Sequence, residues 1–415
     1  MKKILFLLLP VVIFAQSFML SNIPLPKTYV QNLDPYECDE SCMQEYLDNG
    51  MIFSFLAHSH YKLESAKQNE ARVMFISVFN LGSFHSSKEL RIALLLPYRK
   101  IGKYASSTTN ATFAYLMTKG HPFMLQSYKI ESEESEELEA AIEKMKEDGF
   151  EYIIAPLTKK GADNIIKINP ALNIYFPTIH KHDVNTSSPY LSFGAIDYIA
   201  QSNLLLEEAS SPLVIFSDKS QTGKKLAIHQ RREFINSTPT EEDIVEKKDV
   251  VTFYVSRQTT NLEYYLKENE KINNGSFFIN TPIIKTGMVM SQLTLYDANA
   301  TNVLSTQINY NPLLLSMTQY VDRKKMLVAN SLTEHNNVLV ETNALLGNDI
   351  TYDWINYTTT VGVDYFYGLI TDDDRIYTTK IQDNQMIYDV ELLRPSRSKF
   401  LKYERRAKKD LKEVL

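Results

Sequence analysis

Beyond its first residues the chain offers no apolar run long enough to span a bilayer, which takes roughly 20 residues, and no repeat or low-complexity tract. Glycine is scarce, at 13 of 415 residues, and tryptophan occurs once, as Trp354. Cysteine occurs only as Cys38 and Cys42, and the intervening C-D-E-S-C lacks the C-x-x-C spacing of thioredoxin-like redox motifs. The net charge of −6 is modest and argues against nucleic acid as a bulk partner. Catalytic signatures are missing too. Lys224-Lys225 after Gly223 has neither the upstream glycine nor the following Ser/Thr of a phosphate loop. No G-x-S-x-G elbow is present. No enzyme activity and no cofactor are expected.

What is there begins with Met1-Lys2-Lys3, an apolar run from Ile4 to Ala15, and Gln16-Ser17. A basic start, a short apolar core and a small residue at its exit describe a secretory signal peptide over 1–15. The exported chain is expected to be periplasmic, with no lipid anchor, because no Cys follows the run. In that compartment Cys38 and Cys42 are expected to form a structural disulfide stapling one turn.

Residues 16–88 read as a helical N-terminal extension and linker, with apolar residues at three- and four-residue steps, Gly50 as punctuation, and a linker at Gly82–Ser87. From Arg91 the pattern becomes strand, helix, strand, helix. Ile92–Pro97 is a nearly continuous apolar run ending in proline, as in a buried parallel strand. Glu133–Asp148 is amphipathic and stops at Gly149. A second such series starts at Leu213–Asp218. Alternation of this kind calls for parallel sheets covered by helices on both faces, so the chain is predicted to be α/β, with two doubly wound lobes. The first lobe takes 89–208 with 318–370, and the second takes 209–317 with 371–394. Pro312–Ile370 reads as largely helical, Thr371–Arg394 as a hairpin turning at Asp383-Asn384, and 395–415 as a basic helical tail. From Arg394 onward nine Lys/Arg face three Asp/Glu, about +6 net, a charge able to dock on an acidic partner or to remain a solvated end.

This order resembles the type I periplasmic binding proteins. The resemblance is carried by Arg91–Pro97, by Glu139–Leu157, by Phe216-Ser217-Asp218 with Gly223, and by Asp364–Ile370 and Gln385–Tyr388. Within that superfamily, Ala155–Lys160 and Gly287–Leu293 resemble the penicillin-binding-protein activator branch, whose members use the fold to contact partners in the cell envelope. The resemblance implies a non-catalytic interaction protein supporting or regulating an envelope assembly such as peptidoglycan synthesis. The competing reading is a solute-binding protein delivering amino acids or similar ligands to a transporter.

In such a fold a ligand sits between the lobes, at strand C-termini and helix N-termini. Arg99, Thr158, Lys159 and His180 from the first lobe, with Asp218 and Thr281 from the second, are the candidate cleft residues. The resemblance implies a ligand carboxylate held by small hydroxyl residues after the third strand, where this chain offers Thr158 alone. A merely solvated cleft is therefore the competing expectation. His180 and His182 are spaced to face one side of an extended segment, as are His58 and His60. Neither pair has an acidic or Cys partner at suitable sequence spacing, so no metal site is expected. The Tyr-rich stretch Tyr352–Tyr367 is expected to pack the first lobe.

Overall fold

The computed structural model describes residues 30, 38–59, 63–79, 81, 89–237, 249–371 and 374–404. The expected signal peptide, the Gly82–Ser87 linker and residues 405–415 of the tail lie outside the described residues. Helices α1 (Glu40–Asp48), α2 (Ile52–His58) and α3 (Ala66–Val78) come first. Asp39 caps α1 by accepting the Cys42 amide at 2.9 Å, and a Cys38–Cys42 disulfide closes the same turn. Gly50, at φ 69°, supplies the left-handed residue between α1 and α2. Met43, Phe55, Leu56 and Leu81 bury one another in a small separate core.

The first sheet then builds up from β1 (Leu90–Leu96), the short α4 (Tyr98–Ile101), α5 (Tyr104–Lys119), β2 (Phe123–Lys129) and α6 (Ser135–Glu147). It continues through β3 (Tyr152–Ile154), α7 (Lys159–Ile168), β4 (Asn173–Phe176) and β5 (Leu191–Phe193). The side chains of β1 divide with the period of two that a strand imposes. Leu90, Ile92, Leu94 and Leu96 enter one core and Ala93 and Leu95 the other. A strand buried on both faces reads as a continuous apolar run, and for that reason it is legible in sequence.

Helix α8 (Tyr198–Leu206) crosses to the second lobe, where its Leu205 joins the core under β6 (Leu213–Ser217). The second sheet follows through α9 (Gln221–Asn236), β7 (Val250–Tyr254), α10 (Glu263–Leu266) and β8 (Ser276–Asn280). It proceeds through α11 (Ile283–Leu295), β9 (Asn302–Ser305), α12 (Pro312–Met317), α13 (Tyr320–Arg323) and β10 (Met326–Asn330). The chain returns as α14 (Asn337–Leu345) and α15 (Trp354–Thr371), which place Leu339, Val361, Val363 and Phe366 against the β1 face of the first lobe. It closes with β11 (Lys380–Gln382), β12 (Gln385–Ile387), β13 (Glu391–Pro395) and β14 (Phe400–Lys402).

Each sheet has seven strands, ordered β11-β12-β5-β4-β3-β1-β2 and β14-β13-β10-β9-β8-β6-β7. Both are mixed rather than wholly parallel, because β11 runs against β12, and β13 runs against β10 and β14.

Three sequence expectations are corrected here. The largely helical reading of 312–370 misses β10, and that strand sits in the second sheet beside β9, not in the first lobe. Its five residues are all buried, so no amphipathic period distinguishes it from its helical surroundings. The hairpin turns at Asp383-Asn384 as expected, but it extends the first sheet through Gln385 opposite Phe193 rather than the second. Third, the start of the tail is not helical. Ser396 and Lys399 close a turn, with the Ser396 amide donating to the Lys399 carbonyl at 2.8 Å, and residues 400–402 fold back on β13.

The return into the first lobe is fixed by Asp364, which is fully buried on α15. Its carboxylate accepts from the Tyr115 hydroxyl at 2.7 Å, Arg375 Nε at 3.1 Å, and the amides of Ile376 at 2.6 Å and Tyr377 at 3.2 Å. A buried charge is tolerated when it is paired and hydrogen-bonded in this way. The negative neighbour and burial together push the Tyr115 phenol far above its ordinary range, burial being the larger cause.

Candidate functional site: the cleft between the lobes

The C-terminal ends of the parallel strands in both sheets open onto a shared cleft with two communicating parts. The larger part, about 670 Å³, is lined by both lobes, among others by Asp218, Asn280, Gln307, Tyr310 and Asn311 of the second. The smaller part, about 450 Å³, is lined by Thr158, Lys159, His180, His182, Asp197 and Lys225 among others. Tyr104, Tyr198 and Trp354 border both parts.

Thr158 starts α7, where free amides could receive an anion, but the position is already filled. Glu133, 2 % exposed, accepts the Thr158 amide at 2.7 Å and the Thr158 hydroxyl with its other oxygen. The Glu133 carbonyl is held by Asn164 Nδ2 at 2.8 Å. Gly161 allows the approach, since a Cβ there would lie 2.7 Å from the Glu133 carboxylate. Thr178, the next hydroxyl along, donates to the Leu157 carbonyl at 2.5 Å. The threonine hydroxyls that follow β3 and β4 therefore bond to the chain itself.

The other sequence candidates divide. Lys159 borders the cleft but pairs with Asp163 at 2.7 Å, four residues on along α7. Arg99 borders neither part and makes an exposed pair with Glu131 at 3.1 Å. Asp218 reaches the larger part, where Oδ1 accepts from the Ser220 amide at 3.1 Å and hydroxyl at 2.6 Å. Thr281 is fully buried, and its hydroxyl bonds to that of Thr286 at 2.9 Å.

His180 is nearly buried. Its Nδ1 accepts the His182 amide at 3.2 Å and its Nε2 lies 3.7 Å from Asp197 Oδ2. Burial holds the imidazole below its ordinary pKa, against the pull of the Asp197 charge. Asp197 begins α8 and accepts the Ile199 and Ala200 amides, both at 2.9 Å. Lys225 on α9 pairs with Asp183, tying the second lobe to the first beside the smaller part of the cleft.

Sequence reading missed part of the lining. Tyr352 and Trp354 line the cleft as well as packing: Trp354 lies against the first-lobe core and meets Tyr104 edge to face with centroids 5.8 Å apart, and Tyr352 lies against a core of the second lobe. Tyr357, Phe366 and Tyr367 from the same stretch do pack the first lobe. Asp353 lies between the two cleft aromatics, and burial raises its carboxyl, opposed by the Ile355 amide that it accepts. The adjacent Y-D-W was the available signal, but the way its side chains turn is set only by the packing of α15, which begins at Trp354.

Two seven-stranded sheets joined by three crossovers around a cleft, with helices on both faces, define the type I periplasmic-binding-protein fold. Solved structures of two kinds share it. LivJ from Streptococcus pneumoniae, crystallised with isoleucine, superposes with a TM-score of 0.53 at 11% identity, over 76% of this chain and 100% of its own. Full-length LpoA from Haemophilus influenzae does so with a TM-score of 0.54 at 10% identity, over 88% of this chain and 72% of its own. Its C-domain alone, described as a regulator of PBP1A, gives a TM-score of 0.50 at 10% identity, over 76% of this chain and 100% of its own. No protein-family profile and no curated protein matches the sequence. At these identities the likeness defines the fold. Among the described residues no helix is long and apolar enough to cross a membrane.

Proposed function

We propose that this chain is a non-catalytic interaction protein of the bacterial periplasm, exported by its N-terminal signal, that supports or regulates an envelope assembly such as peptidoglycan synthesis. The observation that carries this reading is Glu133. A solute receptor for amino acids keeps the anion-binding start of its helix open, whereas here an internal carboxylate takes both donors of Thr158. Displacing it would leave a buried carboxylate without partners, a cost that a weakly held ligand does not offset. The coverage of LpoA supports the same reading. The full-length protein matches 88% of this chain and its C-domain 76%. The added share is comparable in size to the helical extension before β1.

A second reading, delivery of a small solute to a transporter, is favoured by Tyr310, Trp354 and Asn311, which line the larger part of the cleft. Thermal unfolding of the exported chain against amino acids, small organic acids and peptidoglycan fragments separates the two. A receptor at a hundredfold excess of ligand over Kd gains about 2.7 kcal/mol, a shift of several degrees. The expected result is no shift with any amino acid or acid, together with in-cell crosslinks to a peptidoglycan synthase. A clear shift with one class of amino acid or acid overturns the interaction reading in favour of the receptor.

A further inference from the structure

We propose that His180, His182 and Asp197 form a binding site for a zinc-class divalent cation in the smaller part of the cleft. One nitrogen of each imidazole and one oxygen of Asp197 lie within 4.8 Å of one another, and among the described residues these three are the one such group. The His180 Nε2 to Asp197 Oδ2 distance of 3.7 Å is too long for an N–H···O hydrogen bond. It is close to the separation of two donors on one ion, since bonds of ~2.0–2.2 Å at a tetrahedral angle put donors roughly 3.3–3.6 Å apart. The pair is spaced for something between its members rather than for each other.

The surroundings fit a metal as well as the donors do. Asp197 uses Oδ1 for the Ile199 and Ala200 amides, which fixes the carboxylate and leaves Oδ2 turned toward His180. The His180 and His182 rings lie with centroids 4.6 Å apart, His180 nearly buried and His182 exposed to the cleft. Two imidazoles and a carboxylate make a three-ligand set of the kind that leaves a fourth position for water or an incoming group. Lys225, which lines the same part of the cleft, is engaged by Asp183. Ligation through His180 Nε2 requires the tautomer with the proton on Nδ1, so the 3.2 Å contact from the His182 amide gives way on loading. That contact is at the long end of the hydrogen-bond range and is worth about 1 kcal/mol at most. Because the histidines follow β4 and Asp197 opens α8, the ion would join the first lobe to the crossover that leads into the second.

The full exported chain, without an affinity tag, is titrated with Zn²⁺ by calorimetry and with Co²⁺ by visible absorption. His182→Ala tests an exposed donor, and Asp197→Asn removes the charge while keeping an oxygen to cap α8. The expected result is one ion per chain, a four- or five-coordinate Co²⁺ spectrum, and affinity weakened roughly tenfold or more in each variant. Circular dichroism of both variants should match the parent. No saturable binding, or binding that either correctly folded variant leaves unchanged, overturns the site.

Discussion

Tyr175 shows how tightly single residues set this fold. The ring is fully buried and its hydroxyl donates to the Thr358 carbonyl at 2.8 Å. It lies between two glycines that leave no room for a side chain. A Cβ on Gly194 would come within 1.7 Å of the Tyr175 hydroxyl oxygen, and one on Gly362 within 2.1 Å of the ring. Gly362 sits inside α15, where alanine would otherwise be preferred by about 1 kcal/mol, so here close packing overrides propensity. Gly362→Ala is expected to lower stability in urea by about 1–3 kcal/mol, the usual cost of an overfilled core. Tyr175→Leu in the same chain should recover part of the loss. An alanine variant as stable as the parent would show that the ring can move aside.

At the scale of elements, the hairpin β11–β12 shows what a sequence discloses and what it withholds. Asp383 and Asn384 have φ of 49° and 62°, the paired left-handed conformation that suits a two-residue hairpin turn. The turn can be read from the residues themselves. Which sheet it joins depends on one long-range backbone match, the Phe193 amide donating to the Asn384 carbonyl at 2.8 Å, and no local pattern encodes that. The same division runs through the cleft. Thr158, His180, Asp218 and Thr281 follow strands, so topology alone placed them there. Asp197 and Trp354 border the cleft and Glu133 backs it through Thr158, and these roles rest on packing that local sequence does not disclose. Asn384→Val should cost roughly 1–2 kcal/mol, because a β-branched residue resists the left-handed region. Asn384→Gly serves as the control, since it also loses the Asn384 Nδ2 bond to the Ser188 carbonyl at 3.1 Å. The prediction fails if valine and glycine unfold at the same urea concentration.

In the whole molecule neither lobe is continuous in sequence. The first sheet receives β11 and β12 only after the second lobe has run through β10, and the second receives β13 and β14 later still. A chain cut after residue 379 lacks the outer strands of both sheets. It is expected to lose cooperative thermal unfolding and resistance to protease altogether, instead of retaining one intact lobe. A sharp transition in that fragment would show that the lobes stand without their final strands.

The late closure of both sheets has a further consequence on the export route proposed above, which threads the chain through a membrane N-terminus first. While residues 380–402 remain on the near side, the parallel edges of β5 and β10 on the far side have no partners, and exposed edges of that kind pair readily with other chains. On that route maturation is tied to completion of transit, and a stalled chain is expected to become a substrate for holdases and proteases and not a half-working product.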